Sequence, residues 1–240
     1  MSTTEISLQG GHSTTGVVKV GNTVHRPINS NSGFIHKLLL LLEKKEYPYS
    51  PKYLGIDEQG REILSVIEGT IPRGENVLSE EQLLAVVKMI KELHDATEGS
   101  ELTGDREVVC HNDLAPWNIV LQANKPVAFI DFDDCTPGSR IDDFAYFLWT
   151  FLELGDNTSA DIQAKRIKPL FDAYGSFSSK DLFDSLIKQQ NKILEKRINL
   201  SISAKTKEER DFSKERIEKV RNEIKWVGIN RKEIEEYLNQ

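Results

Sequence analysis

The chain has 240 residues, 38% of them apolar and 29% charged, with two cysteines and a formal charge of −7. This composition leaves out a membrane span, which needs ~18 consecutive apolar residues, a disulfide framework and a zinc site of paired Cys or His. The charge is uneven, with seventeen acidic and six basic residues over positions 70–160, and an acidic middle argues against a nucleic-acid partner and suits bound cations.

The opening "MSTTEISLQGG" has neither the basic start nor the apolar core of a signal peptide, so a cytoplasmic protein with no membrane partner is expected. Residues 4–27 read as strand, Gly-rich turn, strand, tight turn at Gly21-Asn22 and strand, ended by Pro27. The third strand carries His25 and Arg26, which alternation places on opposite faces. A helix is expected over 33–46, and its run Leu38 to Leu42 makes it apolar almost all round, as for a helix sandwiched between layers. A hairpin follows, with strands to about Ile56 and from about Glu62 to Ile67 around a turn at 57–60. Gly69 and Pro72 break regular structure and mark a junction between residues 1–69 and residues 70–240.

Beyond the junction, Ser79 and Gln82 form a capping box, and Leu83, Val86, Val87, Ile90 and Leu93 share one helical face. Residues 107–134 return to short strands around a polar loop. The remainder reads as helices over 140–154, about 161–174, 180–200 and 206–238, with breaks near Gly155, Gly175 and Gly228. Cys110 and Cys135 read as small buried fillers.

The chemistry concentrates in "VCHNDLAPWNIV", residues 109–120, and "VAFIDFDDC", residues 127–135. Asp113, Asn118 and Asp131 each stand at a strand end. A carboxylate that orients a hydroxyl, with amide and carboxylate oxygens that hold Mg2+ on nucleotide phosphates, is what phosphoryl transfer requires.

These residues resemble the aminoglycoside phosphotransferase family and its choline-kinase-like relatives. The family pattern H-x-D-x-x-x-x-N is matched by His111, Asp113 and Asn118, its I-D by Ile130-Asp131, and its later G…D-L-A by Gly138 and Asp143-Phe144-Ala145. The likeness spans roughly residues 6–175. It implies an α+β, two-lobed protein-kinase-like fold, with a small antiparallel sheet lobe bearing one helix (1–69, nucleotide binding) and a larger, mostly helical lobe (70–240, catalysis and substrate). It implies a Mg2+-dependent kinase that moves the γ-phosphate of ATP or GTP to a hydroxylated small molecule. Asp113 would be the catalytic carboxylate, with His111 fixing the geometry of the catalytic loop. Asn118 and Asp131 would ligate magnesium, and Asp143 would support the loop. Gly10, Gly11 and Ser13, in the turn that ends at Gly16, would cover the phosphates.

The chain also departs from the pattern. The strand cation that holds phosphates must be His25 or Arg26, with permanently charged Arg26 favoured. The helix after it has no acidic residue before Glu43, and His36 and Lys37 stand near the place of the usual glutamate. Asn112 replaces the glycine of H-G-D. Trp117 reads as a packing residue or a substrate wall, and Asp133 and Asp134 as a further cation contact or a solvated turn. Residues 161–240 carry eighteen basic and fourteen acidic side chains, a surface that does not select a polycationic acceptor. A non-catalytic binding or immunity protein on the same scaffold is the alternative function.

Overall fold

The computed structural model describes residues 5–8, 16–72, 78–155, 158–175 and 177–240. The chain divides into two compact units, one of Met1–Arg73 with Lys91–Gly138, the other of Gly74–Ile90 with Ser139–Gln240.

The first unit contains a five-stranded antiparallel sheet in the order β1-β2-β3-β5-β4. Its strands are β1 (Glu5–Ser7), β2 (Val18–Val20), β3 (Thr23–Pro27), β4 (Tyr53–Ile56) and β5 (Arg61–Ser65), and the helix α1 (Ser32–Lys44) lies between β3 and β4. Helix α1 packs against β4 and buries Ile35, Leu38, Leu39 and Leu42, but Leu40 is 50% exposed. The leucine run is therefore not buried all round: one side of the helix meets solvent. Further on come β6 (Val108–Cys110), β7 (Ile119–Gln122), β8 (Lys125–Phe129) and β9 (Thr136–Gly138), with β6 paired to β9 and β7 to β8. Strand β9 had no signal in the sequence pattern. The β7–β8 hairpin is tied to earlier chain: Thr70 exchanges backbone hydrogen bonds with Leu121, and Phe129 N–H donates to the Tyr49 carbonyl. A Cβ on Gly69 would lie 2.5 Å from the Leu121 carbonyl oxygen, so only glycine lets the two backbones approach.

The second unit is helical. It begins with α2 (Glu80–Thr97), which continues into the first unit. The expected capping box is present, with Ser79 N–H donating to Gln82 Oε1 at 2.7 Å and Gln82 N–H to Ser79 Oγ at 3.3 Å. Then follow α3 (Arg140–Leu152), α4 (Ala160–Tyr174), α5 (Ser179–Ser203) and α6 (Lys207–Leu238). Helices α5 and α6 pack on each other, α3 on α5, and α4 on α6. The break expected near Gly228 does not occur. A single glycine costs a helix about 1 kcal/mol, which the burial of Val220, Val227 and Ile234 on the same helix outweighs. Trp149 Nε1–H donates to the buried Glu223 Oε2 at 3.1 Å, and the half-buried Asp142 accepts from Ser185 and Lys188.

Candidate active site

Strand β6 is buried along its whole length and delivers the chain into the polar loop. Val109 N–H donates to Thr97 Oγ1 at 3.1 Å, which ties the strand to the end of α2. A Cβ on Gly138 would fall 2.6 Å from Cys110 Sγ, so the glycine of the G…D pattern is a steric requirement of the β6–β9 pairing. Cys110 and Cys135 are both buried, and neither is in a disulfide.

His111 is fully buried, with its ring against Phe129 and Phe132, and its Nε2–H donates to the Ile130 carbonyl at 3.2 Å. It joins the polar loop to the residue before Asp131 and presents no ring atom to solvent. Asn112 follows in the left-handed region at φ +63°, a conformation open to glycine and tolerated by asparagine. Its amide donates to the carbonyls of Cys110 and Asp134 and to Thr136 Oγ1. Asparagine thus replaces the expected glycine without loss of the turn, and adds a clamp across to residues 134–136.

Asp113 and Asn118 are brought together. A short 3₁₀ turn at Pro116–Asn118 folds the chain back, and Asn118 Nδ2 donates to Asp113 Oδ2 at 2.7 Å and to its carbonyl at 3.0 Å. Asn118 also accepts, through its carbonyl, the Ile130 N–H at 2.9 Å, because it immediately precedes β7 and Ile130 immediately follows β8. Asp131 is the next residue after that backbone pair. Asp131 is at φ +63°, and its side chain is 37% exposed. Burial and the adjacent Asp133 charge hold its carboxyl above the usual range, with Asp113 adding to the rise and Arg26 and His111 opposing it. Asn118 is thus in direct contact with Asp113, and the Asp113 charge is felt at Asp131. With the Asn118 nitrogen on Asp113, its oxygen is the atom left to ligate, and hard oxygen donors of this kind fit Mg2+. Trp117, expected to pack or to form a wall, is 54% exposed and is not a core residue.

Of the two strand cations, Arg26 faces this cluster. It donates from Nε to Glu62 Oε1 at 2.6 Å and from Nη2 to Asp133 Oδ1 at 2.6 Å, and its Nη1 lies 3.8 Å from Asp131 Oδ1. Burial works against its charge, but Asp133 and Glu62 overcome this and raise its pKa. His25 points elsewhere, to Asp57 at 2.8 Å and Thr23 at 3.0 Å. Asp133 is no solvated turn residue: besides Arg26, its carbonyl accepts from Asn31, the residue that precedes α1. Asp143 lies in the first turn of α3, in the other unit, and is 1% exposed. Gly10, Gly11 and Ser13 lie outside the described residues.

The sequence reading missed Glu62. It sits directly across from Arg26 in the β3–β5 pairing, is fully buried, and accepts a second bond from His36 of α1 at 2.7 Å. The signal was its phase: Glu62 alternates with Leu64 on the covered face of β5, where an unpaired charge would not survive. The missing helix glutamate is therefore replaced by a strand glutamate and a helix histidine.

Residues 71–177 match the phosphotransferase enzyme family. A trifolitoxin immunity protein of Rhizobium leguminosarum bv. trifolii is 32% identical over 195 residues, covering 71% of this chain and 74% of the relative. Among solved structures, choline kinase LicA from Streptococcus pneumoniae superposes with a TM-score of 0.64 at 14% identity, over 92% of this chain and 93% of that one. The GDP complex of an aminoglycoside 2'-phosphotransferase-IIIa mutant gives 0.61 at 15% identity, over 96% and 95%. The fold is that of these protein-kinase-like enzymes, and by sequence the chain belongs to the phosphotransferase enzyme family.

Proposed function

We propose that the protein transfers the γ-phosphate of ATP or GTP to a hydroxyl of a small molecule. The observation that carries this reading is the 2.7 Å hydrogen bond from Asn118 to Asp113, and the Asp113 charge felt at Asp131, one residue beyond the Ile130–Asn118 backbone pair, supports it. A carboxylate oriented by that bond can align an acceptor hydroxyl and take its proton. The Asn118 oxygen and the Asp131 carboxylate would hold Mg2+, which when bound neutralises charge on the phosphates. Arg26 would bind those phosphates, and Gly10, Gly11 and Ser13 would cover them. In this reading residues 1–69 serve the nucleotide, and residues 70–240 serve catalysis and the acceptor.

The acceptor is read as a hydroxylated small molecule. The four-charge basic excess of residues 161–240, eighteen against fourteen, argues against a polycation held there. A second reading is favoured by the relative named an immunity protein: a binding protein that sequesters a toxin or antibiotic without catalysis. Thermal melting with MgATP and MgGTP separates the two, since a ligand at 100 times its Kd stabilises by about 2.7 kcal/mol. A shift with nucleotide, followed by phosphate transfer to one of a panel of amino sugars, macrolides, choline and homoserine, is the expected result. No shift with either nucleotide at millimolar concentration overturns the kinase reading.

A further inference from the structure

Arg26 meets three carboxylates, and its two edges differ in kind. The Nε edge is sealed. Glu62 is fully buried, its second oxygen is held by His36 at 2.7 Å, and the His36 ring stacks on Tyr53 with centroids 4.0 Å apart. The outer fork is open. Its partners Asp131 and Asp133 have side chains 37% and 18% exposed. A guanidinium presents donors on two separated edges in fixed directions, so it can keep a bond on one edge while exchanging those on the other.

We propose that Arg26 is a built-in counter-ion of the Asp131–Asp133 pair, pivoting on Glu62. A divalent cation that reaches Asp131 displaces the fork, which then turns to the nucleotide phosphates while Nε stays on Glu62. Glu62 is thereby a positioning residue and His36 its brace. The inference rests on Asp131 being a cation ligand, as proposed above. It adds that the cation and Arg26 compete for the same carboxylates, so that cation binding arms the phosphate-binding arginine.

The test is Mn2+ binding to the nucleotide-free protein by titration calorimetry. Arg26→Gln removes the competing charge and is expected to tighten Mn2+ roughly tenfold. Glu62→Gln leaves Arg26 with the aspartates as its charged partners and is expected to weaken Mn2+ several-fold, the opposite sign. Changes of the same sign, or an unchanged affinity in a folded Arg26→Gln protein, overturn the pivot while leaving the metal site standing. No Mn2+ binding to any version overturns the metal reading itself. If either variant fails to fold, guanidinium 15N NMR of the unaltered protein decides: titrating Mg2+ should shift the Arg26 Nη signals and preserve its hydrogen-bonded Nε–H. Loss of both, or movement of neither, overturns the proposal.

Discussion

Between Cys110 and Cys135 four non-glycine residues, Asn112, Ala123, Asn124 and Asp131, take positive φ, whereas no described residue of α5 or α6 does. Asn112 and Asp131 hold this strain next to the polar side chains, and Ala123 and Asn124 form the two-residue turn between β7 and β8. The helical pair spends none and manages its charges by local pairing, as in Lys180–Asp184 and Arg231–Glu235 one turn apart. Strain that persists beside converging carboxylates points to chemistry, and regular helix with locally paired charge points to support. The two regions should therefore respond in opposite ways to substitution, the loop in turnover and the helices in stability.

The largest effect is expected at Asp113. Asp113→Asn keeps the shape and removes the proton acceptor, so phosphate transfer should fall by ~10²–10⁴-fold with little change in melting temperature. Equal rates for both proteins would break the contrast at its strongest point. Gly155→Ala probes the other side. Gly155 follows α3 at φ +112°, and a Cβ there would lie 2.6 Å from the Glu223 Cα of α6. Stability in urea should fall by about 2–4 kcal/mol, with turnover per folded molecule unchanged.

Asn112→Ala tests whether the strained clamp serves the site. The substitution loses the amide's three partners and the tolerance of left-handed backbone, costing about 1–2 kcal/mol. Turnover should fall as well, because residues 134–136 lose their tie to the catalytic loop. Asn112→Gly should recover part of the stability. The smallest effect belongs to Thr206→Ala at the start of α6, where Thr206 and Glu209 form a capping box. A loss of about 1 kcal/mol is expected, seen as faster hydrogen exchange in the first turn of α6 and absent from the kinetics.

Some of this was legible before any coordinates. The spacing of His111, Asp113, Asn118 and Asp131 was legible because β7, a two-residue turn and β8 form a local hairpin: once it closes, Asn118 pairs with Ile130, the residue before Asp131. The capping box at Ser79 is likewise local. Glu62 was not legible as a partner of Arg26. The two are 36 residues apart, and only the β3–β5 register puts them opposite each other. The exposure of Leu40, and of Trp117 against a packing role, has a related reason: hydrophobicity says a side chain is best buried, not that the fold has room for it.

The amino-acid sequence by itself determined the type of each major helix, the short strands around the polar loop and the H-x-D-x-x-x-x-N and I-D pattern of the family, because each depends on residues close along the chain. The tertiary structure decided which strand cation enters the site, that a glutamate of β5 and a histidine of α1 stand in for the absent helix carboxylate, and that α6 passes through Gly228 unbroken. Those outcomes depend on strand register and on burial between distant segments, where the energy of pairing a buried charge or covering an apolar face outweighs any local preference.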